Sequence, residues 1–296
     1  MQRIKPLGEI AVAFAANSEF IPYTAVMIQS IIDRADEERL YDLVVLYSDI
    51  ECELIERVIS LAAGHHNISI RFFDVGGIVS GIKFFTKSVY TETKFSAEAY
   101  YRLLIPSLMP DYERVLYFDG DMIARCDVAE LYDMPMPKGK LIAACRDYAG
   151  ICYCYDGKSD RLQYRRDILG LSRTDEYVIS GTLVFNIAEF NRRYSREELI
   201  ALSASREWRQ HDQDVLNVIC NGKIEILPAE WGYVQKNPTM DKLPPELLAE
   251  YEAAEKNPKI VHFAGSRKPG GAHKLRFVDE FYAIAERTKI RVPSAK

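Results

Sequence analysis

Apolar positions in the first 75 residues come in two kinds of pattern that take turns. E-I-A-V-A-F-A-A (9–16) is a continuous apolar run of strand length. Residues 22–34 instead carry Val26, Ile28, Ile31 and Ile32 at helical spacing, with Pro22 suited to a first helical turn. Y-D-L-V-V-L-Y-S (41–48) returns to the strand pattern, E-C-E-L-I-E-R-V-I-S-L-A-A (51–63) to the helical one, and I-S-I-R-F-F-D-V (68–75) to the strand. Strand and helix in strict alternation predict a parallel sheet with crossover helices. The near-continuous apolar strands agree, because such a sheet is covered on both faces.

Residues 76–95 are rich in glycine and aromatics and read as an irregular excursion. A helix is expected over 97–108, ended by Pro110, and it carries Tyr100, Tyr101 and Arg102. V-L-Y-F then runs into D-G-D (119–121). L-I-A-A-C-R-D (141–147) is a further apolar strand ending on a carboxylate, Asp147. Residues 148–177 are polar and tyrosine-rich without a period, too long for a simple connector, and so are a candidate binding loop. S-G-T-L-V-F-N-I-A (180–188) reads as a strand, 196–204 and 213–220 as helices, and I-E-I-L-P (224–228) and K-I-V-H-F-A-G (259–265) as late strands. No internal repeat or flexible linker interrupts the order. The expectation is one mixed α/β domain over 1–271, with a helix and basic tail over 272–296.

Composition narrows the function classes. The 296-residue chain is 48% hydrophobic and 27% charged, enough to bury a substantial core. A net charge of -5 gives no general attraction for nucleic acid. From Arg267 to Lys296, however, 8 Lys/Arg face 3 Asp/Glu, so the chain ends in a basic stretch able to touch phosphates or an anionic membrane surface. No run approaches the roughly 20 apolar residues of a membrane span, and the N-terminal residues lack the apolar core of a signal peptide. Six scattered cysteines fit buried, reduced thiols, and the expected location is cytoplasmic, with the basic end as a peripheral membrane contact.

The chemistry centres on D-G-D. Ligands of open α/β sheets sit beyond the carboxyl ends of strands, where Asp119, Asp121 and Asp147 all fall. Side chains two apart in extended chain share a side, so Asp119 and Asp121 converge, with Gly120 giving the backbone latitude to turn. Two like charges held together call for a positive partner, most simply a divalent cation. A D-x-D triplet alone usually marks a solvated turn, and His262, at the end of I-V-H, is the plausible third ligand. Two carboxylates with one imidazole suit Mn²⁺ better than a strict Mg²⁺ site. Gly265 and Lys268 follow, offering close backbone approach and a point charge to a phosphate. In H-D-Q-D-V-L-N (211–217), Asp212 or Asp214 suits a helix cap, and Gln213 offers an amide to a sugar hydroxyl.

These residues resemble a known family, the retaining glycosyltransferases of family 8. The match runs from about Ile10 to about Pro269 and rests on A-F-A-A-N (13–17), A-Y-Y-R-L (99–103), F-D-G-D (118–121), S-G-T-L-V-F-N (180–186), H-D-Q-D-V-L-N (211–217) and H-F-A-G-S-R-K-P (262–269), in the family's order. The resemblance implies the GT-A fold, a Rossmann-like α/β domain with a mostly parallel mixed central sheet. It implies Mn²⁺, or Mg²⁺, on Asp119, Asp121 and His262, with Gly265 and Lys268 on the diphosphate of a UDP-sugar. Ala15 and Asn17 would line the uridine pocket, and Arg102, Asp147, Asp212 and Gln213 would face the donor sugar. Gln213 would stand nearest the anomeric carbon. The implied reaction moves glucose or galactose to lipopolysaccharide or another cell-surface glycan. Three positions depart from the family's pattern: Asn17 where aspartate is common, Ile179 where asparagine is usual, and Gly270 where tryptophan follows K-P.

The acceptor is expected against 148–177, where Tyr148, Tyr153, Tyr155 and Tyr164 are candidates to stack on sugar rings. For retention, Asp212 is the candidate nucleophile of a double displacement, whereas Gln213 is too poor a nucleophile and favours same-face attack. Two other readings are a nucleotide-sugar-binding protein without transferase activity and a haloacid-dehalogenase-type phosphatase. The latter also uses two aspartates after a strand, but normally near the start of its fold.

Overall fold

The computed structural model describes residues 3–87 and 96–292. The later part of the 76–95 excursion and the last residues of the basic tail lie outside the described residues.

Three parallel strands open the chain, as the alternating pattern predicts: β1 (Ile10–Ala15), β2 (Tyr41–Tyr47) and β3 (Ile68–Asp74). Between them run the helices Ile21–Ile32 and Cys52–Ile59. β4 (Arg114–Phe118) adds in parallel beside β1, and β5 (Met122–Ala124) follows directly after D-G-D. β6 (Ile142–Arg146), β7 (Val178–Asn186), β8 (Ile224–Ile226), β9 (Tyr233–Val234) and β10 (Ile260–His262) complete the strands among the described residues.

Seven strands make the main sheet in the order β3-β2-β1-β4-β7-β6-β8. β7 is antiparallel to both β4 and β6, so the sheet is mixed, and β6 regains the sense of β4. Consequently the carboxyl ends of β1, β4 and β6 and the amino end of β7 share one edge. Each sheet face is covered by its own apolar cluster. One is built on Ala11, Ala13, Val115 and Leu183, the other on Val12, Phe14, Leu116 and Val184. The alternation of neighbouring residues between the two clusters is the pleat of a strand buried on both sides.

A second sheet, β5-β10-β9, stands at that edge. β10 is antiparallel to β5 with His262 opposite Met122, and Phe263 N–H donates to the carbonyl of Asp121 at 2.9 Å. This register carries His262 to D-G-D across more than a hundred residues of chain.

Several expectations are refined. Residues 97–108 form a 3-10 stretch, Ala97–Leu104, followed by one α turn, Ile105–Leu108. The helix expected over 213–220 begins earlier, as His211–Ile219. Residues 148–177 are a chain of short helical turns rather than an open loop. Gly120 has no left-handed backbone, so conformational latitude is not its role; a Cβ there would overlap Thr24 on the first helix. The C-terminal helix Val278–Thr288 puts Phe281 and Ile284 into an apolar cluster with Tyr23 and Phe263. All six cysteines are free thiols; Cys145, Cys152 and Cys220 are buried, while Cys52 is exposed. Among the described residues no helix is long and apolar enough to cross a membrane.

Candidate active site

β4 delivers Asp119 and Asp121 to the sheet edge, and β10 delivers His262 opposite them. One ligand atom from each of the three lies within 4.8 Å of the other two. His262 Nε2 stands 3.2 Å from Asp121 Oδ1 and 3.6 Å from Asp119 Oδ2. Two carboxylate oxygens and an imidazole nitrogen converging at this range could hold a divalent metal ion. The Lys268 ammonium pairs with the outer oxygen of Asp121 and lies over the Phe20 ring at 5.1 Å. Burial pushes the Asp121 carboxyl up, but Lys268 and His262 outweigh it and hold the group below the usual carboxylate range. His262 Nδ1 is buried and finds no hydrogen-bond partner among the described residues.

Arg102 organises the neighbouring side of the site. Its guanidinium is buried, 3.0 Å from Asp119 Oδ1 and 3.0 Å from Asp212 Oδ2. It also donates to the carbonyls of Ala99 at 2.7 Å and Ser180 at 2.5 Å, and stacks over Tyr117 at 4.5 Å. Tyr117, two residues before Asp119 on the same side of β4, donates its hydroxyl to Asp119 Oδ1 at 2.9 Å. The Nε proton of Arg102 goes to Ala99, so Asp212 Oδ2 feels the charge without receiving a hydrogen bond. Burial accordingly pushes the Asp212 carboxyl up to about 6, Asp119 adding to the rise and Arg102 opposing it.

A second pair, Asp147 and Gln213, lies beside the first. Gln213 Nε2 donates to Asp147 Oδ2 at 3.1 Å, while its Oε1 accepts from Ser180 N–H at 3.2 Å. Ser180 therefore joins both groups, its carbonyl on Arg102 and its N–H on Gln213. Asp212 makes no cap. Asp214 accepts from the N–H of Gln210 at 2.9 Å and from the hydroxyls of Tyr164 and Tyr177 at 2.7 and 2.5 Å. His211, at the head of this motif, has the left-handed φ of 52°, an uncommon conformation that turns the chain into the helix.

The remaining expected residues are placed less directly. Ala15 is half-buried at the end of β1. Asn17 Oδ1 accepts from the N–H groups of Glu19 and Phe20, and its amide donates to Glu98 at 3.3 Å. Gly265 has a φ of 64° and open space around it, in the turn before Lys268. Of the four tyrosines expected on the acceptor side, Tyr148 and Tyr164 are buried, with their hydroxyls on Glu250 and Asp214. Tyr153 lies under Arg161 at 4.4 Å, and Tyr155 is exposed.

Sequence reasoning missed Tyr117, Ser180 and Gly181. Gly181 is the wall against which His262 and Asp119 of the candidate cation cluster pack: a Cβ there would meet His262 Cε1 at 2.6 Å, Met122 Cε at 2.6 Å and Asp119 Oδ2 at 2.8 Å. Its signal was available, since a glycine inside an apolar strand often marks a close approach.

Residues 11–271 match the family described as Glycosyl transferase family 8. The chain is similar to General stress protein A of Bacillus subtilis (strain 168), 24% identical over 283 residues that cover 93% of this chain and 92% of the relative. Among solved structures it is similar to the bifunctional glycosyltransferase WbbM in its apo form, with a TM-score of 0.83 and 28% identity over 96% of this chain. The chain spans 51% of that larger protein. The galactosyltransferase LgtC, solved with donor and acceptor sugar analogs, shares the fold at a TM-score of 0.72 and 18% identity, covering 94% of this chain and 96% of that one.

Proposed function

The chain belongs to glycosyl transferase family 8, and on that premise we propose that it moves a hexose, glucose or galactose, from a UDP-sugar to a carbohydrate hydroxyl with retention at the anomeric carbon. The observation that carries the proposal is the convergence of Asp119, Asp121 and His262 within 4.8 Å at the sheet edge, with Lys268 on Asp121. Asp119, Asp121 and His262 would hold Mn²⁺, or Mg²⁺, which when bound stabilises charge gathering on a departing diphosphate. The LgtC comparison supports a hexose donor through that protein's galactosyl activity. Lipopolysaccharide or another cell-surface glycan is the proposed acceptor, with the exposed basic side chains of the C-terminal stretch as a peripheral membrane contact.

In this reading Lys268 contributes fixed positive charge beside the leaving group. Arg102 holds Asp119 and Asp212 in one geometry, so the two acidic groups cannot drift apart on donor entry. The bond from the anomeric carbon to phosphate breaks, the bond to the acceptor oxygen forms on the same face, and the acceptor's proton passes to the departing phosphate oxygen. Same-face attack is favoured over a double displacement because Asp212 is held against Arg102 and Gln213 has both ends of its amide engaged.

UDP release from a panel of UDP-sugars, with Mn²⁺ and with chelator, tests the proposal. Release that depends on Mn²⁺ and rises with a glycan acceptor is expected. Tight UDP binding without release from any sugar would instead favour a nucleotide-sugar-binding protein. Phosphate release from sugar phosphates that stops in Asp119→Asn would favour the phosphatase reading.

A further inference from the structure

Arg165 lies between β6 and β7, in the segment where the acceptor is proposed to bind, yet it is only 2% exposed. Its guanidinium reaches inward to Asp147 Oδ2 at 3.3 Å and lies 3.6 Å from the centroid of the Tyr177 ring. Cys154 Sγ touches the same guanidinium at 3.6 Å. Gly150 makes the room: a Cβ at that position would overlap both the Asp147 carboxylate and the Arg165 guanidinium. The N–H of Gly150 also donates to Asp147 Oδ1 at 2.8 Å.

Asp147 is thus surrounded by donors, and the last of them is the Gln213 amide at 3.1 Å. A backbone N–H can only donate and an ionised carboxylate can only accept. Ser180 N–H on one side and Asp147 on the other therefore allow the Gln213 amide a single orientation. That orientation depends on the Asp147 carboxylate staying where it is, and Arg165, 3.3 Å away, is the buried countercharge that holds it there. Arg165 is itself clamped. Tyr177 beneath it ends on Asp214, in the first turn of the helix that carries Gln213.

We propose that Arg165 is a positioning residue that, through Asp147, fixes the amide of Gln213 facing the donor sugar. Its role in catalysis rests on the glycosyl-transfer reading above, and its coupling to Gln213 can be read without turnover. The segment expected to receive the acceptor and the pair expected to face the donor are therefore joined by one buried cation.

The test uses Arg165→Met, which keeps apolar packing on Tyr177, and Arg165→Lys, which keeps a charge. In the ¹⁵N-labelled full chain, the Gln213 side-chain amide is identified by its loss in Gln213→Met. Its two protons are expected to exchange slowly and resonate apart from free glutamine, to approach free values in Arg165→Met, and to be partly restored in Arg165→Lys. With an active UDP-sugar, Arg165→Met should lower kcat by about 10- to 100-fold, as for a misplaced reacting group, while donor KM stays within about 2-fold. An unchanged Gln213 amide in folded Arg165→Met overturns the inference, as does a loss shared equally by kcat and Mn²⁺-dependent UDP affinity. A parent protein that shows the amide coupling but turns over no UDP-sugar overturns the transfer reading instead.

Discussion

Gly181→Ala separates a crowded cation site from an ordinary strand position by the sign of its effect. Gly181 has no left-handed backbone, so alanine adds no backbone strain. At a compatible site Gly→Ala normally stabilises by about 0.4–1 kcal/mol, because the unfolded chain loses freedom. Here the new methyl would stand 2.6 Å from His262 Cε1 and from Met122 Cε, where ordinary contact begins at 3.4 Å, so each neighbour must retreat by about 0.8 Å. The end of Met122 can swing away at little cost. Asp119 cannot, being held by Arg102 at 3.0 Å and Tyr117 at 2.9 Å, and His262 is fixed by its strand. Overpacking of this kind costs about 1–3 kcal/mol, which outweighs the chain-entropy gain. Urea unfolding in chelator should therefore show Gly181→Ala less stable by about 1–2 kcal/mol. Displaced ligands should also lower Mn²⁺ affinity by about 10- to 100-fold, read by calorimetric titration. A variant at least as stable as the parent refutes the packing argument. One that is destabilised but binds Mn²⁺ at parental affinity means that the overlap is relieved without disturbing the ligand atoms of His262 and Asp119, and Gly181 then has no part in the cation site.

Other expectations follow from the same geometry. Asp121→Ala should abolish metal-dependent UDP binding, and a variant that binds UDP and Mn²⁺ as the parent does would remove Asp121 from the metal site. Gly120→Ala should cost about 1–3 kcal/mol, and adding Thr24→Ala should recover part of it, because Thr24 Oγ1 is the nearest obstruction; additive losses in the double-mutant cycle would contradict this. Burial, aided by the charge of Asp214, raises the Tyr177 hydroxyl well above its usual value, so the folded state keeps a proton that the unfolded chain releases above about pH 10. Stability present below that pH should fall as pH rises, with a slope approaching about 1.4 kcal/mol per pH unit for this proton, and Tyr177→Phe should remove about 1 kcal/mol of the fall between about pH 10 and 11. Reversing the exposed charges of Lys274, Lys289 and Arg291 to glutamate should weaken flotation with anionic liposomes. Deleting the region is a poorer test, since Phe281 belongs to the core, and equal flotation of reversed and parent chains would remove the membrane contact.

The parts of the molecule that were legible in the sequence are those whose signal is local. β1, β2 and β3 and the helices between them announce themselves because a strand buried on both faces is an unbroken apolar run, and a covering helix is a stripe. D-G-D and His262 were recognisable for the same reason: each is polar chemistry at the end of such a run. What stayed hidden depends on pairing. An apolar strand looks the same in either direction, so the reversal of β7, which turns its amino end toward the site, leaves no mark in residues 178–186. β5 is three apolar residues, too short to carry a period, yet its register with β10 is what sets His262 against Asp121. Arg165 sits in a stretch without period, and its burial follows from a glycine fifteen residues earlier.

The two long-range devices differ in what they specify. The β5–β10 register brings His262 to two carboxylates that the β4 strand end already presents. The Arg165–Asp147 pair brings no new group to the donor; it constrains the orientation of one already there. If both readings hold, loss of the first removes cation binding, and loss of the second leaves cation and nucleotide bound with slow turnover. Asp121→Ala and Arg165→Met, compared in one assay of Mn²⁺-dependent UDP affinity and kcat, should therefore fail in different columns. Identical failure would mean that the site is a single cooperative cluster, in which Arg102 and Ser180 transmit any disturbance of one pair to the other.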